Sequence, residues 1–179
     1  MLDFVQQAVK DFRHTGSVWP SSPTLAKVMT RSFCRANGPK RLLEVGPGTG
    51  VFTRVALPAL RPGDEFHIVE LNPVFCDRLE EKLLAPYRRA NPGVTVVLHR
   101  VPIEQADLPG GFDYVVCGLP FNNFPPTLVR AIFRQLINQL RPGGELVYFE
   151  YAGVRVMKAP LVGTSGRRRL RQIGNVGRA

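Results

Sequence analysis

The chain has 179 residues, 44% of them hydrophobic and 21% charged. That is a globular composition, long enough for one domain that buries roughly 70% of its unfolded surface without a metal or disulfide staple. Lys and Arg number 24 against 14 Asp and Glu, a formal charge of +10, which excludes an average acidic enzyme and asks for a polyanionic partner, either nucleic acid or an anionic membrane surface.

Residues 2–13 read as a helix, with Leu2, Val5, Val9 and Phe12 recurring at three- and four-residue steps. Lys10 and Arg13 lie beside Phe4 and Phe12, a modest interfacial profile, and a lid packed on the domain is the alternative. A second helix is expected over 24–34, with Ser22 as N-cap and Pro23 in its first turn. An alternation follows: a strand over 41–45, a helix over 53–60, a strand over 66–71, a helix over 74–89 started by Asn72-Pro73, and a strand over 94–99. A fourth strand is expected over 112–117, an amphipathic helix over 127–140 stopped by Arg141-Pro142-Gly143-Gly144, and a fifth strand over 145–151. Strands alternating with helices predict an α/β fold with a mostly parallel sheet and right-handed crossovers. No further strand is expected in 155–179. That segment holds Arg155, Lys158, Arg167, Arg168, Arg169, Arg171 and Arg178 and no acid. It reads as a basic tail, either solvated or gripping phosphates. The expected organisation is N-terminal helices over 1–36, a core over 37–154 and the tail over 155–179.

Cys34, Cys76 and Cys117 lie far apart among apolar neighbours and read as buried thiols rather than a disulfide framework. No metal site is expected. No window reaches the ~20 apolar residues of a membrane span. Residues 1–12 lack a signal peptide's apolar core, so a cytoplasmic location is expected.

The strongest motif is Glu44-Val45-Gly46-Pro47-Gly48-Thr49-Gly50, which follows a strand and precedes a helix. Gly46, Gly48 and Gly50 let the backbone approach a ligand closely. The spacing is G-x-G-x-G rather than the G-x-G-x-x-G of a dinucleotide pyrophosphate site. Glu44 would repel a phosphate and pair with an ammonium. Glu70, 24 positions after Gly46, is placed to accept ribose hydroxyls, with Leu71 beside it. An adenosine with a zwitterionic amino-acid end and no phosphate fits this set, as in S-adenosylmethionine. Phe75 is open to either adenine packing or the core. Gly118-Leu119-Pro120-Phe121 closes the fourth strand, where substrates bind in open α/β sheets. Gly118 removes a side-chain acceptor that a planar amino group would use.

With these motifs the chain resembles the class I S-adenosylmethionine-dependent methyltransferases. The glycine loop is shared by ribosomal RNA adenine dimethyltransferases and bacterial phospholipid N-methyltransferases. Gly16-Ser17-Val18-Trp19-Pro20-Ser21-Ser22, the 69–76 segment, Cys117-Gly118-Leu119-Pro120-Phe121 and Tyr148-Phe149-Glu150-Tyr151 look more like the lipid group. The resemblance covers roughly residues 2–155. It implies a Rossmann-like fold and S-adenosylmethionine held by Glu44, Gly46, Gly48, Gly50, Glu70 and Leu71. It also implies that Gly118, Leu119, Pro120 and Phe121 form the substrate-amine loop, and that the substrate is an aminolipid amine at an anionic membrane. Phe121, Phe124, Trp19 and Tyr151 are candidate aromatic faces for a methylated ammonium, each with a place in the core as the favoured alternative, and His14 or Glu150 a candidate proton acceptor. Two departures stand out: where many of these enzymes place an acid for the adenine amino group the chain reads His99-Arg100-Val101-Pro102-Ile103-Glu104, which leaves that role to backbone groups, and the closing antiparallel hairpin is expected to be missing, as in a truncated or divergent chain. An RNA adenine N6-methyltransferase and a non-catalytic cofactor-binding module are the alternatives.

Overall fold

A computed structural model describes residues 32–33, 38–121, 124–150 and 153–158, with the backbone alone at 149–150 and 153–158. The helices expected over 2–13 and 24–34, apart from helical Ser32 and Phe33, lie outside the described residues. So do His14, Trp19, Cys34, Tyr151 and the arginine cluster 167–171.

Six strands form one sheet: β1 Arg41–Val45, β2 Glu65–Val69, β3 Thr95–His99, β4 Phe112–Cys117, β5 Leu140–Glu150 and β6 Gly153–Lys158. Their order is β3-β2-β1-β4-β5-β6, the first five parallel and β6 antiparallel to β5. Helices α1 (Val51–Ala56), α2 (Pro73–Leu79), α3 (Ala85–Ala90) and α4 (Pro126–Gln139) connect them. The central strands bury both faces, which is why they read as unbroken apolar runs. Leu42, Phe66, Ile68 and Val116 pack against Phe52, Ala56, Leu79 and Leu84 on one side. Leu43, Val45, Val115 and Leu146 pack against Ile132, Phe133 and Leu136 of α4 on the other. Each such side chain contributes about 1.5–3 kcal/mol on burial.

Boundaries moved where proline or glycine intervenes. The helix expected over 74–89 runs from Pro73 to Ala90, but widens over Glu80–Leu84, where the Ala85 N–H reaches the Glu80 carbonyl five residues back. Pro86 has no N–H and its ring crowds the preceding turn, so the widened turn accommodates it. The helix expected over 53–60 is α1 followed by a tighter turn at Leu57–Ala59, which carries Pro58. β5 begins at Leu140, five residues early, and takes in the Pro-Gly-Gly as an irregularity opposite β4.

The expectation of no strand after Tyr151 is corrected. β6 pairs with β5 from Glu150↔Gly153 to Glu145↔Lys158. Residues 154–157 read Val-Arg-Val-Met, a period of two hidden in a segment rich in glycine and arginine. One antiparallel strand is therefore present where the whole closing hairpin was expected to be missing, and β5 has a neighbour on each side. The other edge, β3, is covered by Arg88, whose Nε donates to the Val96 carbonyl at 2.7 Å while its guanidinium pairs with Glu80 at 2.5 Å.

At the N-terminal ends of β1 and β2, Lys40 and Asp64 form a buried ion pair at 2.6 Å. Asp64 also accepts from the backbone N–H groups of Lys40 and Arg61 at 3.0 and 2.8 Å. The Lys40 ammonium lies 5.0 Å from the centre of the Phe33 ring. Removing one partner strands a buried charge, so Asp64→Ala is expected to lower stability by about 3–5 kcal/mol, read from the urea midpoint.

Candidate active site

The order in which strands are added to the sheet reverses between the parallel neighbours β1 and β4. One half of the sheet grows from β1 through β2 to β3, the other from β4 through β5 to β6. A crevice opens at the carboxyl ends of the strands at such a switch point. Gly46, Glu70 and Gly118 follow directly on β1, β2 and β4, so the sequence motifs converge there. The Gly46 N–H donates to the Val69 carbonyl at 3.0 Å and the Gly118 N–H to the Val45 carbonyl at 2.8 Å.

All three loop glycines adopt positive φ: Gly46 at 71°, Gly48 at 56° and Gly50 at 77°. They serve different ends. A Cβ on Gly48 would meet nothing within 4 Å, so this glycine answers backbone conformation and leaves the loop's surface open. A Cβ on Gly50 would lie 2.7 and 2.9 Å from Leu79 and Leu83, which press the glycine loop against the segment after α2.

Glu70 is 8% exposed and closes the loop from the side. Its Oε2 accepts from the Gly48 N–H at 3.1 Å and its Oε1 from the Asn72 N–H at 2.8 Å. Asn72 caps α2 through the Val74 N–H at 3.0 Å. Burial raises the Glu70 pKa, opposed by these backbone donors. Leu71 is half-buried beside it. Phe75 is also half-buried and belongs to neither core cluster. Cys76 and Cys117 are buried thiols whose pKa values are pushed up by burial, to about 11 and about 12.

Glu44 is 2% exposed on the α1 side of β1. Its Oε2 accepts from the Thr53 hydroxyl at 2.7 Å. No Lys, Arg or His ion-pairs with it among the described residues. Burial lifts its pKa from 4.5 to about 8, with the neighbouring Glu70 charge adding to the rise and Thr53 opposing it. Sequence reasoning passed over Thr53. Its signal was a polar residue in a short helix whose other buried side chains are Phe52 and Ala56.

At the end of β4 the structure gives Gly118 a different meaning. A Cβ there would lie 2.6 Å from the Gly46 carbonyl oxygen. The glycine allows β4 to pass against the glycine loop, and a side-chain acceptor at 118 would displace that loop. Leu119 fills the space a Gly46 side chain would take, 2.6 Å from an ideal Cβ. Pro120 is half-buried. Phe121 is 8% exposed and stacks on Phe133 at 4.8 Å, edge-on to Tyr148 at 6.0 Å and to Phe124 at 6.5 Å. The expected aromatic faces at 121 and 124 are thus core rings with little surface left for a substrate. After β3, Arg100 turns to Asp77 at 2.6 Å.

The Methyltransferase domain family matches residues 43–146. An ornithine lipid N-methyltransferase from Singulisphaera acidiphila is 34% identical over 155 residues, covering 80% of this chain and 76% of that protein. The chain belongs to the class I S-adenosylmethionine-dependent methyltransferases. Solved methyltransferases share its fold. N-methyltransferase NodS from Bradyrhizobium japonicum, bound to S-adenosylhomocysteine, has a TM-score of 0.53 at 18% identity, covering 83% of this chain and 72% of that one. Coclaurine N-methyltransferase, with N-methylheliamine and S-adenosylhomocysteine, has a TM-score of 0.51 at 16% identity. That match covers 70% of this methyltransferase, which spans about a third of the coclaurine enzyme, 34%. The cofactor of this methyltransferase is S-adenosylmethionine.

The raised Glu44 pKa makes a stability prediction. Between 4.5 and about 8 the folded chain holds this proton and the unfolded chain does not. The stability this gives is full below 4.5 and is lost as pH rises through about 8. Thermal melts of the ligand-free protein should therefore fall more steeply over that range than those of Glu44→Gln, whose melting point should exceed that of the unsubstituted protein at pH 8 by a few degrees.

Proposed function

We propose that this methyltransferase transfers a methyl group from S-adenosylmethionine to the amine of an aminolipid, with an ornithine-lipid type of acceptor. For the acceptor, the support is the 34% identity to a protein named ornithine lipid N-methyltransferase across most of both chains. For the cofactor's place, one observation carries the reading: two buried carboxyls flank the glycine loop, and neither has a cationic partner among the described residues.

The residues fit that cofactor. A buried acid without a counter-charge is costly unless it is protonated or a cation arrives. Glu44 is assigned to the amino group of the cofactor's amino-acid end. Glu70, already organising Gly48 and Asn72, is assigned to the ribose hydroxyls, with Leu71 lining that side. Gly46, Gly48 and Gly50 supply close backbone approach. Such a pair of acids disfavours a pyrophosphate in the same loop. The bound cofactor supplies a methyl group on a positively charged sulfonium.

The rest falls to the chain's own residues, which position the acceptor and exclude water. Gly118 and Leu119 brace the glycine loop from the acceptor side, and Phe121 anchors the 118–121 loop in the core. An aliphatic amine must enter neutral. With a pKa of ~10.4 that costs about 4.6 kcal/mol at pH 7, lowered when the amine is buried beside a cation. The candidate proton acceptor His14 lies outside the described residues, as does the side chain of Glu150. No helix among the described residues is long and apolar enough to cross a membrane. Contact with lipid is proposed as peripheral, through the basic segment 155–179 and the N-terminal helix expected over 2–13, at the cytoplasmic face.

Glu70→Ala removes charged hydrogen bonds and should weaken S-adenosylhomocysteine binding by at least about tenfold in calorimetric titration. An unchanged affinity removes Glu70 from the site. Methyl transfer from labelled cofactor, run in parallel on aminolipid vesicles and ribosomal RNA, should label the lipid. Label in RNA alone overturns the acceptor assignment, and label in neither with cofactor bound points to a non-catalytic module.

A further inference from the structure

Thr53 is fully buried, and its hydroxyl leaves its own helix to meet a strand. In helices a threonine hydroxyl commonly turns back to a carbonyl three or four residues earlier. Here it donates to Glu44 Oε2 at 2.7 Å, and no other side chain among the described residues is recorded donating to that carboxyl. The Thr53 backbone N–H also favours the ionised carboxyl; two neutral donors do not compensate a buried charge, but the hydroxyl fixes the rotation of the carboxyl. The arrangement is an acid whose direction is set in advance by its neighbour.

We infer that Thr53 is a positioning residue for the amino-acid end of the cofactor: by holding Glu44 Oε2, it sets the direction in which this carboxylate meets the cofactor's ammonium group. The inference rests on the assignment of Glu44 made above. Thr53 is not a catalytic residue, because it acts on the ligand through Glu44. It follows that a ligand carrying the amino-acid end senses Thr53 and a ligand lacking that end does not.

Two probes separate these cases. S-adenosylhomocysteine has the amino-acid end, whereas 5′-methylthioadenosine keeps the adenosine and thioether without it. Thr53→Val, nearly isosteric, should weaken S-adenosylhomocysteine about tenfold and leave methylthioadenosine within about twofold. Thr53→Ser should restore the lost affinity. In the Glu44→Gln background, Thr53→Val should cost S-adenosylhomocysteine less than about twofold more, because both substitutions break one coupled pair.

Equal losses for the two probes, no loss for S-adenosylhomocysteine, or an undiminished tenfold loss in the Glu44→Gln background would each overturn the inference. Should Thr53→Val not fold, Thr53→Ala removes the same hydroxyl and carries the same expectations. If the unsubstituted protein binds neither probe, the assignment of the site falls first and the role of Thr53 with it.

Discussion

Two carboxyls placed out of water beside a glycine loop, with no cationic partner among the described residues, are the constraint around which the described structure is organised. Glu44 comes from inside β1 and Glu70 from the residue after β2, and the parallel register of those strands brings both to one end of the sheet. In an apolar core each ionised form is expensive, and burial dominates the rise in both pKa values. Glu70 offsets part of that cost through two backbone donors, Glu44 through Thr53. On the proposed reading, the remainder favours a positively charged guest. A sulfonium nucleoside with an ammonium group meets that preference in a way that a phosphate does not.

The rest of the architecture holds those groups in place. The reversal of strand order between β1 and β4 opens the crevice, and the close approach of Gly118 to Gly46 couples its two walls. Below, the Lys40–Asp64 pair ties β1 to the turn preceding β2. Each of these is a place where backbone passes close to backbone. Glycine or a buried ion pair appears there because an ordinary side chain has no room or no partner.

Much of this was legible in the sequence because it follows from local periodicity. Runs such as Leu42-Leu43 and Val115-Val116 are apolar at successive positions because the strands bury both faces, and the glycine loop is self-announcing between strand and helix. Boundaries failed where one residue overrides a periodic pattern, as Pro86 does in forcing a wider turn. The Val154–Val156 alternation of β6 is short and lies in a stretch otherwise dominated by arginine and glycine, so its period of two stands out little. Distances across the chain left no sequence trace. Gly118 looked like a lost acceptor and is a point of close approach. Phe121 was open to either a substrate face or the core and is stacked in the core. The partnership of Thr53 with Glu44 spans nine positions and a loop, beyond any local pattern.

The central claim is that cofactor binding turns a buried, protonated acid into an ion pair. Calorimetry at pH 7 in buffers of different ionisation enthalpy counts the protons exchanged when S-adenosylmethionine binds. With Glu44 near 8 in the free protein, the account predicts release of about one proton on binding. Tight binding with no proton exchanged would contradict it.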